Sequence, residues 1–368
     1  MSKLEELIQQ YCPEGVEYKP LGEVSNMKRG TSATKEAMKE GEIPAISGGK
    51  LPAFYCDQFN RIGETITVAG SGAGAGYVQY WNRPIFVCDA FSVQGKEDLT
   101  TKFIYYFLNN IQEKIYGTKK GGGVPHVHIS SIDKFEIPIP PLPVQEEIVR
   151  ILDTFAELQT ELQTELQKRK QQYNYYRDNL LSFEGRTDVE YLPIPRFAEL
   201  KAGKAIKAEE LMEHPDSEHS FPCFGGNGIR GYIGKQSHCG DFAIIGRQGA
   251  LCGCVNWASG EFYATEHAVV CKPLPNANSR FLYHLLSTAN LNQYKSQGAQ
   301  PGLSVQRLNE LVFPIPSLEE QERIASILDN YDALTNDLTV GLPAEIEKRR
   351  QQYEYYRDKL LTFKRKEA

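Results

Sequence analysis

Two short stretches carry residue types at spacings that could do chemistry. Gly70-Ser71-Gly72-Ala73-Gly74-Ala75 follows the apolar run Thr65–Ala69 and fits the G-x-G-x-x-G/A pattern of a dinucleotide site. Cys252 and Cys254 stand in C-x-C spacing, with Cys239 not far before them, and could offer thiolates to a metal. Each reading demands an element to position the residues. The glycine run needs a helix beginning directly behind it, so that backbone N–H groups and the positive helix end face the pyrophosphate. The cysteines need a second ligand pair. After Gly76 the chain continues "YVQYWNRPIFVCDAFSV", which is β-type, so the glycines read as a turn joining two strands. No second cysteine pair follows, and the eight cysteines read as free thiols of a reducing compartment. A nucleotide-dependent enzyme using the Gly70–Gly76 loop, or a metal-dependent one using Cys239, Cys252 and Cys254, stays as an alternative. So does a coiled-coil scaffold that only joins other proteins.

The 368 residues leave room for two or three domains with proper cores. No apolar run approaches the ~18–20 residues needed to cross a bilayer. The opening "MSKLEELIQQYCPEG" is polar and acidic, unlike a signal peptide, so a cytoplasmic chain without membrane association is expected. A net charge of −6 argues against a nucleic-acid partner only as an average, because it is unevenly spread. Residues 19–134 hold 14 Lys/Arg against 11 Asp/Glu, and residues 192–310 hold 11 against 10. Residues 135–184 hold 5 against 9, and residues 311–368 hold 9 against 11. Two mildly basic blocks on an acidic frame are compatible with two DNA-facing modules.

The strongest signal is internal repetition. "IPIPPLPVQEEIVRILDTF" (137–155) matches "FPIPSLEEQERIASILDNY" (313–331) at an offset of 176, pairing Gln145 with Gln321 and Asp153 with Asp329. "RKQQYNYYRDNLLSF" (169–183) matches "RRQQYEYYRDKLLTF" (349–363) at an offset of 180. The repeat reaches into the divergent blocks: Pro125 meets Pro301, Pro44 meets Pro222, and "VEYKP" (16–20) resembles "VEYLP" (189–193). The partner of the glycine run is "DFAIIGRQGALCGCVNW" (241–257), again a strand and a glycine turn, but without G-x-G-x-x-G. A chain written twice is expected to place its halves about a pseudo-twofold axis.

Residues 20–110 and 195–275 read as irregular β-sheet with turns. Residues 100–117 and 278–295 have helical apolar spacing. The first long helix is expected from about Pro143 to Phe183, which at ~1.5 Å per residue spans ~60 Å. Ile148, Leu152, Phe155, Leu162, Leu166, Tyr173, Tyr176 and Leu180 form its apolar stripe. Ile324, Ile327, Leu328, Tyr331, Leu334, Tyr353, Tyr356 and Leu360 form the matching stripe of the second copy. Both stripes read as core, packed as an intramolecular antiparallel pair. "AELQTELQTELQ" (156–167) repeats a four-residue unit inside the first helix, each unit adding ~6 Å. Gly341 and Pro343 predict a stop and restart in the second.

These segments resemble the specificity subunits of type I restriction–modification systems, and the resemblance covers essentially the whole chain. It rests on the two "IPxPxxxxQxxIxxxLD" segments (Ile137–Asp153 and, with Phe first, Phe313–Asp329), the paired "QQYxYYRDxLL" helices and the tetrapeptide repeat. The resemblance implies an α+β fold of two β-rich target-recognition domains separated by two long helices forming an antiparallel coiled coil. The expected boundaries are 1–135 and 185–312 for the recognition domains, with helical spacer regions at 136–184 and 313–368. Each domain would read one half of a split, asymmetric site in double-stranded DNA. The subunit itself would be non-catalytic. It would direct two adenine-N6 methyltransferase subunits and two restriction subunits, with S-adenosylmethionine and ATP/Mg on those partners and no cofactor on this chain.

Residue types then suggest the DNA contacts, since phosphates want Lys/Arg and base edges want Arg, Asn, Gln, Ser or Thr on loops. In the first domain these are Ser47, Lys50, Ser71, Lys119, Lys120, His126 and His128. In the second they are Asn227, Arg230, Arg247, Gln248, Gln300 and Gln306. The resemblance fixes none of these positions, because recognition domains differ in sequence within the family.

Overall fold

The computed structural model describes residues 2–121, 123–249, 251–296, 301–337 and 339–367. Two compact units divide the chain: unit 1 joins Met1–Gln163 with Ile346–Ala368, and unit 2 is Thr164–Glu345. Five helices organise them: α1 (Thr101–Asn110), α2 (Leu142–Leu180), α3 (Ser279–Thr288), α4 (Leu318–Asn336) and α5 (Leu342–Leu360).

Each unit is built on a four-stranded antiparallel sheet. In unit 1 its order is Ser25–Arg29, Ala90–Gly95, Glu64–Ala69, Val78–Asn82. In unit 2 it is Ala198–Ala202, Ala268–Pro273, Phe242–Gly246, Val255–Ala258. The strand Glu64–Ala69 is buried at every position after Glu64, with Thr65 and Thr67 on one face and Ile66 and Val68 on the other. A helix covers each sheet. Phe103, Ile104, Phe107 and Leu108 are buried on α1, and Phe281, Leu282, Leu285 and Leu286 on α3, one face in each case. The side chains of Thr100 and Asn278 cap these helices by accepting from the N–H of Phe103 and Phe281. The helical spacing over 100–117 resolves into α1 and a short helix, Gln112–Tyr116, with a break at Ile111. In unit 2 the corresponding break is at Asn290, whose left-handed backbone (φ 45°) ends the helical run before a 3₁₀ turn.

The helix expected from Pro143 to Phe183 is α2, which ends at Leu180, and the tetrapeptide units lie within it unbroken. The stop between α4 and α5 falls at Gly341, where a Cβ would stand 2.5 Å from the carbonyl oxygen of Ala333. Pro343 is the second residue of α5. Within unit 1, Phe155 stacks on Tyr356 at 5.6 Å and meets Tyr353 at 6.4 Å. Within unit 2, Tyr331 stacks on Tyr176 at 5.4 Å and meets Tyr173 at 6.5 Å. The early part of α2 thus meets the later helix and its late part the earlier one, the order of an antiparallel coiled coil. The stripes are not uniformly core. Ile148, Leu152, Ile324 and Leu328 are fully buried, whereas Tyr176 and Tyr356 keep 39% and 37% exposure and Leu334 38%. Two helices enclose only a narrow seam, and full burial comes where the α+β layer also covers it.

The repeated Asp and Gln of the motif are clamps. Asp153 on α2 accepts from Tyr106 Oη at 2.5 Å and Lys102 Nζ at 2.8 Å, both on α1. Asp329 on α4 accepts from His284 Nε2 at 2.7 Å and Arg280 Nε at 2.8 Å, both on α3. Burial pushes the Asp329 carboxyl up, but the bonds from His284 and Arg280 outweigh it and leave Asp329 below its ordinary range. The motif therefore fixes the recognition layer to the long helix in each unit.

Unit 1 is closed by residues far apart in sequence. Val16 N–H donates to Lys364 O at 2.9 Å, Lys366 N–H donates to Val16 O at 3.0 Å, and Tyr18 Oη donates to Phe363 O at 2.9 Å. The strand that follows, Glu17–Pro20, pairs with Glu136–Ile139, as Glu190–Pro193 pairs with Val312–Ile315 in unit 2.

Candidate nucleic-acid interface

Three loops converge at one end of the sheet in each unit, and their backbones are held alike. In unit 1 the glycine turn is pinned by Gly70 N–H to Asp89 O (3.0 Å), Gly72 N–H to Pro125 O (3.0 Å) and Val127 N–H to Gly70 O (3.0 Å). In unit 2 the same three bonds are Arg247 N–H to His267 O (2.9 Å), Gly249 N–H to Pro301 O (3.2 Å) and Leu303 N–H to Arg247 O (2.8 Å). Both turns close with a glycine of positive φ, Gly76 (85°) and Gly253 (90°), whose N–H reaches back to Ala69 O or Gly246 O at 2.7 Å. The chain then enters a strand, Val78–Asn82 or Val255–Ala258, not a helix. Among the described residues, neither turn leads into the helix that a pyrophosphate cradle needs. The close approach their glycines permit is between loops: a Cβ on Gly74 would lie 2.4 Å from Gly48 O, and one on Gly246 1.9 Å from Gly226 O.

In unit 1, Ser47 and Lys50 stand on the loop that Gly48 brings against the glycine turn. Lys50 is exposed, with Nζ 5.2 Å from the centre of the Tyr77 ring. Ser71 lies in the turn and donates its hydroxyl hydrogen to Asp89 Oδ2. Lys119 packs over Tyr116 at 4.2 Å. Lys120 and His126 bond each other backbone to backbone at 3.0 and 2.8 Å, and the His126 and His128 rings stack at 6.0 Å. The seven side chains suggested by the sequence thus lie on loops of one cluster. Arg29, Asp89 and His128 share a cavity of about 300 Å³ within it.

In unit 2, Asn227, Arg230 and Gln248 line a groove of about 980 Å³ with Leu251, His267 and Pro301. Arg247 and Gln248 share a second cleft, of about 250 Å³, with Ser304 and Arg307. Gln306 is exposed on a short helix, Val305–Asn309, and lines neither. Gln300 lies outside the described residues. Arg247 Nε, Asn256 Nδ2, Glu266 Oε2 and His267 Nδ1 are buried without a hydrogen-bond partner among the described residues. The frame is shared, yet its surface differs at nearly every position: Gly70 against Arg247, Ser71 against Gln248, Asp89 against His267.

The model of the type I restriction modification DNA specificity domain matches residues 13–170 and again 187–348. The chain belongs to this family. The specificity subunit of the type I restriction enzyme EcoprrI of Escherichia coli is 38% identical over 366 residues, covering 88% of this chain and 89% of that one. The EcoR124I/EcoR124II specificity subunit, also of Escherichia coli, is 29% identical over 422 residues, covering 100% and 98%. The solved S subunit of a type I system from M. genitalium shares the fold, with a TM-score of 0.67 at 20% identity, covering 94% of this chain and 95% of that one.

As a specificity subunit, the chain has its sequence-reading role in DNA recognition. Several side chains of the clusters are not among those the sequence suggested. Asp89, His267 and Arg307 line the cavities, but Asp89 and His267 sit in stretches that read as strand interior. Only the paired bonds of Gly70 and Arg247 show that they are counterparts. Cys239 is exposed and Cys252 buried, and among the described residues no group of three or more His, Cys, Asp or Glu could hold a metal ion. Among the described residues no helix is long and apolar enough to cross a membrane.

Proposed function

We propose that this specificity subunit reads a split, asymmetric site in double-stranded DNA, one half through the loop cluster of each unit. The recognition domains would be residues 1–135 and 185–312, and the spacer regions 136–184 and 313–368. One observation carries the reading: the two clusters keep the same backbone bonds and differ in the side chains mounted on them. A duplicated scaffold serving one identical ligand would have no reason to diverge there while its helices remain nearly identical. Lys50, Lys119 and Lys120 in unit 1, and Arg230, Arg247 and Arg307 in unit 2, supply the phosphate-binding charge. Ser71, Asn227 and Gln248 supply the neutral donors and acceptors suited to base edges.

The chain itself does no chemistry in this reading and binds no cofactor. It brings two methyltransferase subunits, carrying S-adenosylmethionine, to an adenine of each half-site, and two ATP-dependent restriction subunits join them, in the cytoplasm. The repeated helices are the surface for the paired partners. Tyr175 and Tyr355 lie at matching positions of "QQYNYYRD" and "QQYEYYRD", yet they are 66% and 62% exposed, so core packing does not account for them.

The test is a genome-wide map of N6-methyladenine in a host without adenine methylation, expressing the chain with its methyltransferase subunit. One split motif that disappears when this chain is left out supports the reading. No motif, despite a stable complex with an active methyltransferase, refutes it.

A further inference from the structure

Asp89 is an acid on a loop cluster that also carries several cations. It is exposed, it shares its cavity with Arg29 and His128, and Lys50, Lys119 and Lys120 stand on the adjoining loops. On a surface that meets phosphates, a carboxylate is repelled unless it makes a direct bond to a donor.

One explanation is local: Asp89 accepts the Ser71 hydroxyl, a bond that would brace the turn. Unit 2 serves as the internal control. There the same turn is held by the same backbone bonds, while its counterparts Gln248 and His267 share no side-chain hydrogen bond among the described residues. The fold does not need the brace. Residue 70, moreover, is a glycine, so no side chain covers the carboxylate: a Cβ there would lie 3.2 Å from Asp89 Oδ1.

We propose that Asp89 is a specificity-determining residue of unit 1, accepting a hydrogen bond from the N4 amino group of a cytosine in the major groove. The inference rests on the DNA-reading function above and names the chemistry of one of its positions. A carboxylate only accepts. Guanine presents the acceptors N7 and O6 in that groove, and adenine sets the acceptor N7 beside its N6 amino group, so both oppose it. Cytosine presents its amino donor with no acceptor beside it, and thymine presents an acceptor and a methyl group. The Ser71 hydroxyl fixes Oδ2 and leaves Oδ1 for the base.

The test compares wild type, Asp89→Ala and Asp89→Asn in the same methylation map. In wild type, one position of the half-site read by unit 1 is a fixed C·G pair. With Asp89→Ala that position accepts all four pairs, losing a discrimination of about 10- to 100-fold, while the other half-site and the spacing stay unchanged. With Asp89→Asn it accepts A as well as C, because the amide offers both a donor and an acceptor to adenine. An unchanged motif in both variants overturns the proposal. Loss of all methylation with Asp89→Ala, and a wild-type motif with Asp89→Asn, overturns it too, since the carboxylate would then serve only as a brace. If wild type itself gives no split motif, the DNA-reading function falls and takes the proposal with it.

Discussion

Gln145 and Gln321 occupy the same buried socket, one in each unit, and close the same three hydrogen bonds. Gln145 accepts the Thr100 N–H at 2.9 Å and donates to Asp98 O and Pro140 O at 2.8 and 2.7 Å. Gln321 accepts the Asn278 N–H at 2.8 Å and donates to Asn276 O and Pro316 O at 3.0 and 2.9 Å. Each amide ties the start of the long helical region to the cap of the helix above the sheet.

Replacing Gln145 by Leu leaves one N–H and two carbonyls without partners. At about 1–3 kcal/mol for each buried group left unsatisfied, the three together should cost unit 1 roughly 3–9 kcal/mol. The two tryptophans, Trp81 in unit 1 and Trp257 in unit 2, give separate reporters. In denaturant, followed in single-tryptophan versions, Gln145→Leu should move the Trp81 transition and Gln321→Leu the Trp257 transition. Equal movement of both by either change would contradict independent sockets.

Tyr175 and Tyr355 should matter to partner binding and not to folding. Alanine at either should leave the melting temperature within about 1–2 °C, as expected for exposed side chains. It should weaken capture of one methyltransferase subunit, and the double change capture of both, read as the mass of the purified complex. A full complex with the double variant would remove these tyrosines from the interface.

Glu147 sets an acid limit for unit 1. Its side chain is 4% exposed, and hydrogen bonds from Arg150 (2.6 Å) and then Lys3 (2.8 Å) hold its carboxyl down at about 2 against an ordinary 4.5. A carboxyl depressed by folding stabilises fully above its unfolded value, and that contribution is lost as pH falls through the folded one. The melting-temperature gap between wild type and Glu147→Gln should therefore be constant from pH 7 to about 5, shrink below about 4.5, and vanish only below about 2. A gap that does not depend on pH would mean the side chain acts by packing alone.

The thiols sort by burial. Burial pushes Cys271 up to about 12 and Cys223 up to about 11, whereas Cys239 is exposed. Since the thiolate is the reacting form, an alkylating reagent at pH 8 should label Cys239 first and leave Cys223 and Cys271 untouched until the chain unfolds. Peptide mass analysis reads the order directly.

What was legible in the sequence followed from repetition and periodicity. The matched Gln and Asp pairs, the stop at Gly341–Pro343 and the strand before the glycine turn all depend on local spacing, and each stands where its pattern places it. The stripes promised more core than two helices can enclose, and so Tyr176 and Tyr356 remain partly in solvent. Asp89 was illegible for another reason. Its partner in the repeat is His267, chemically unrelated, and the offset between the copies drifts, so only the backbone register reveals the correspondence. Residue type suggested which side chains could touch DNA, but which of them share a cavity is a property of loops brought together from three distant parts of the chain.

The strand contacts that close unit 1 invert the order of maturation on the ribosome. Domains generally fold as they emerge, the earlier one first. Here residues 164–345 of unit 2 leave the exit tunnel as an uninterrupted set, while unit 1 still waits for residues 346–367 and the bonds of Val16 to Lys364 and Lys366. The unit that is translated first is the one completed last. Until residues 363–366 emerge, Val16 and the Tyr18 hydroxyl lack the backbone partners they hold in the folded unit.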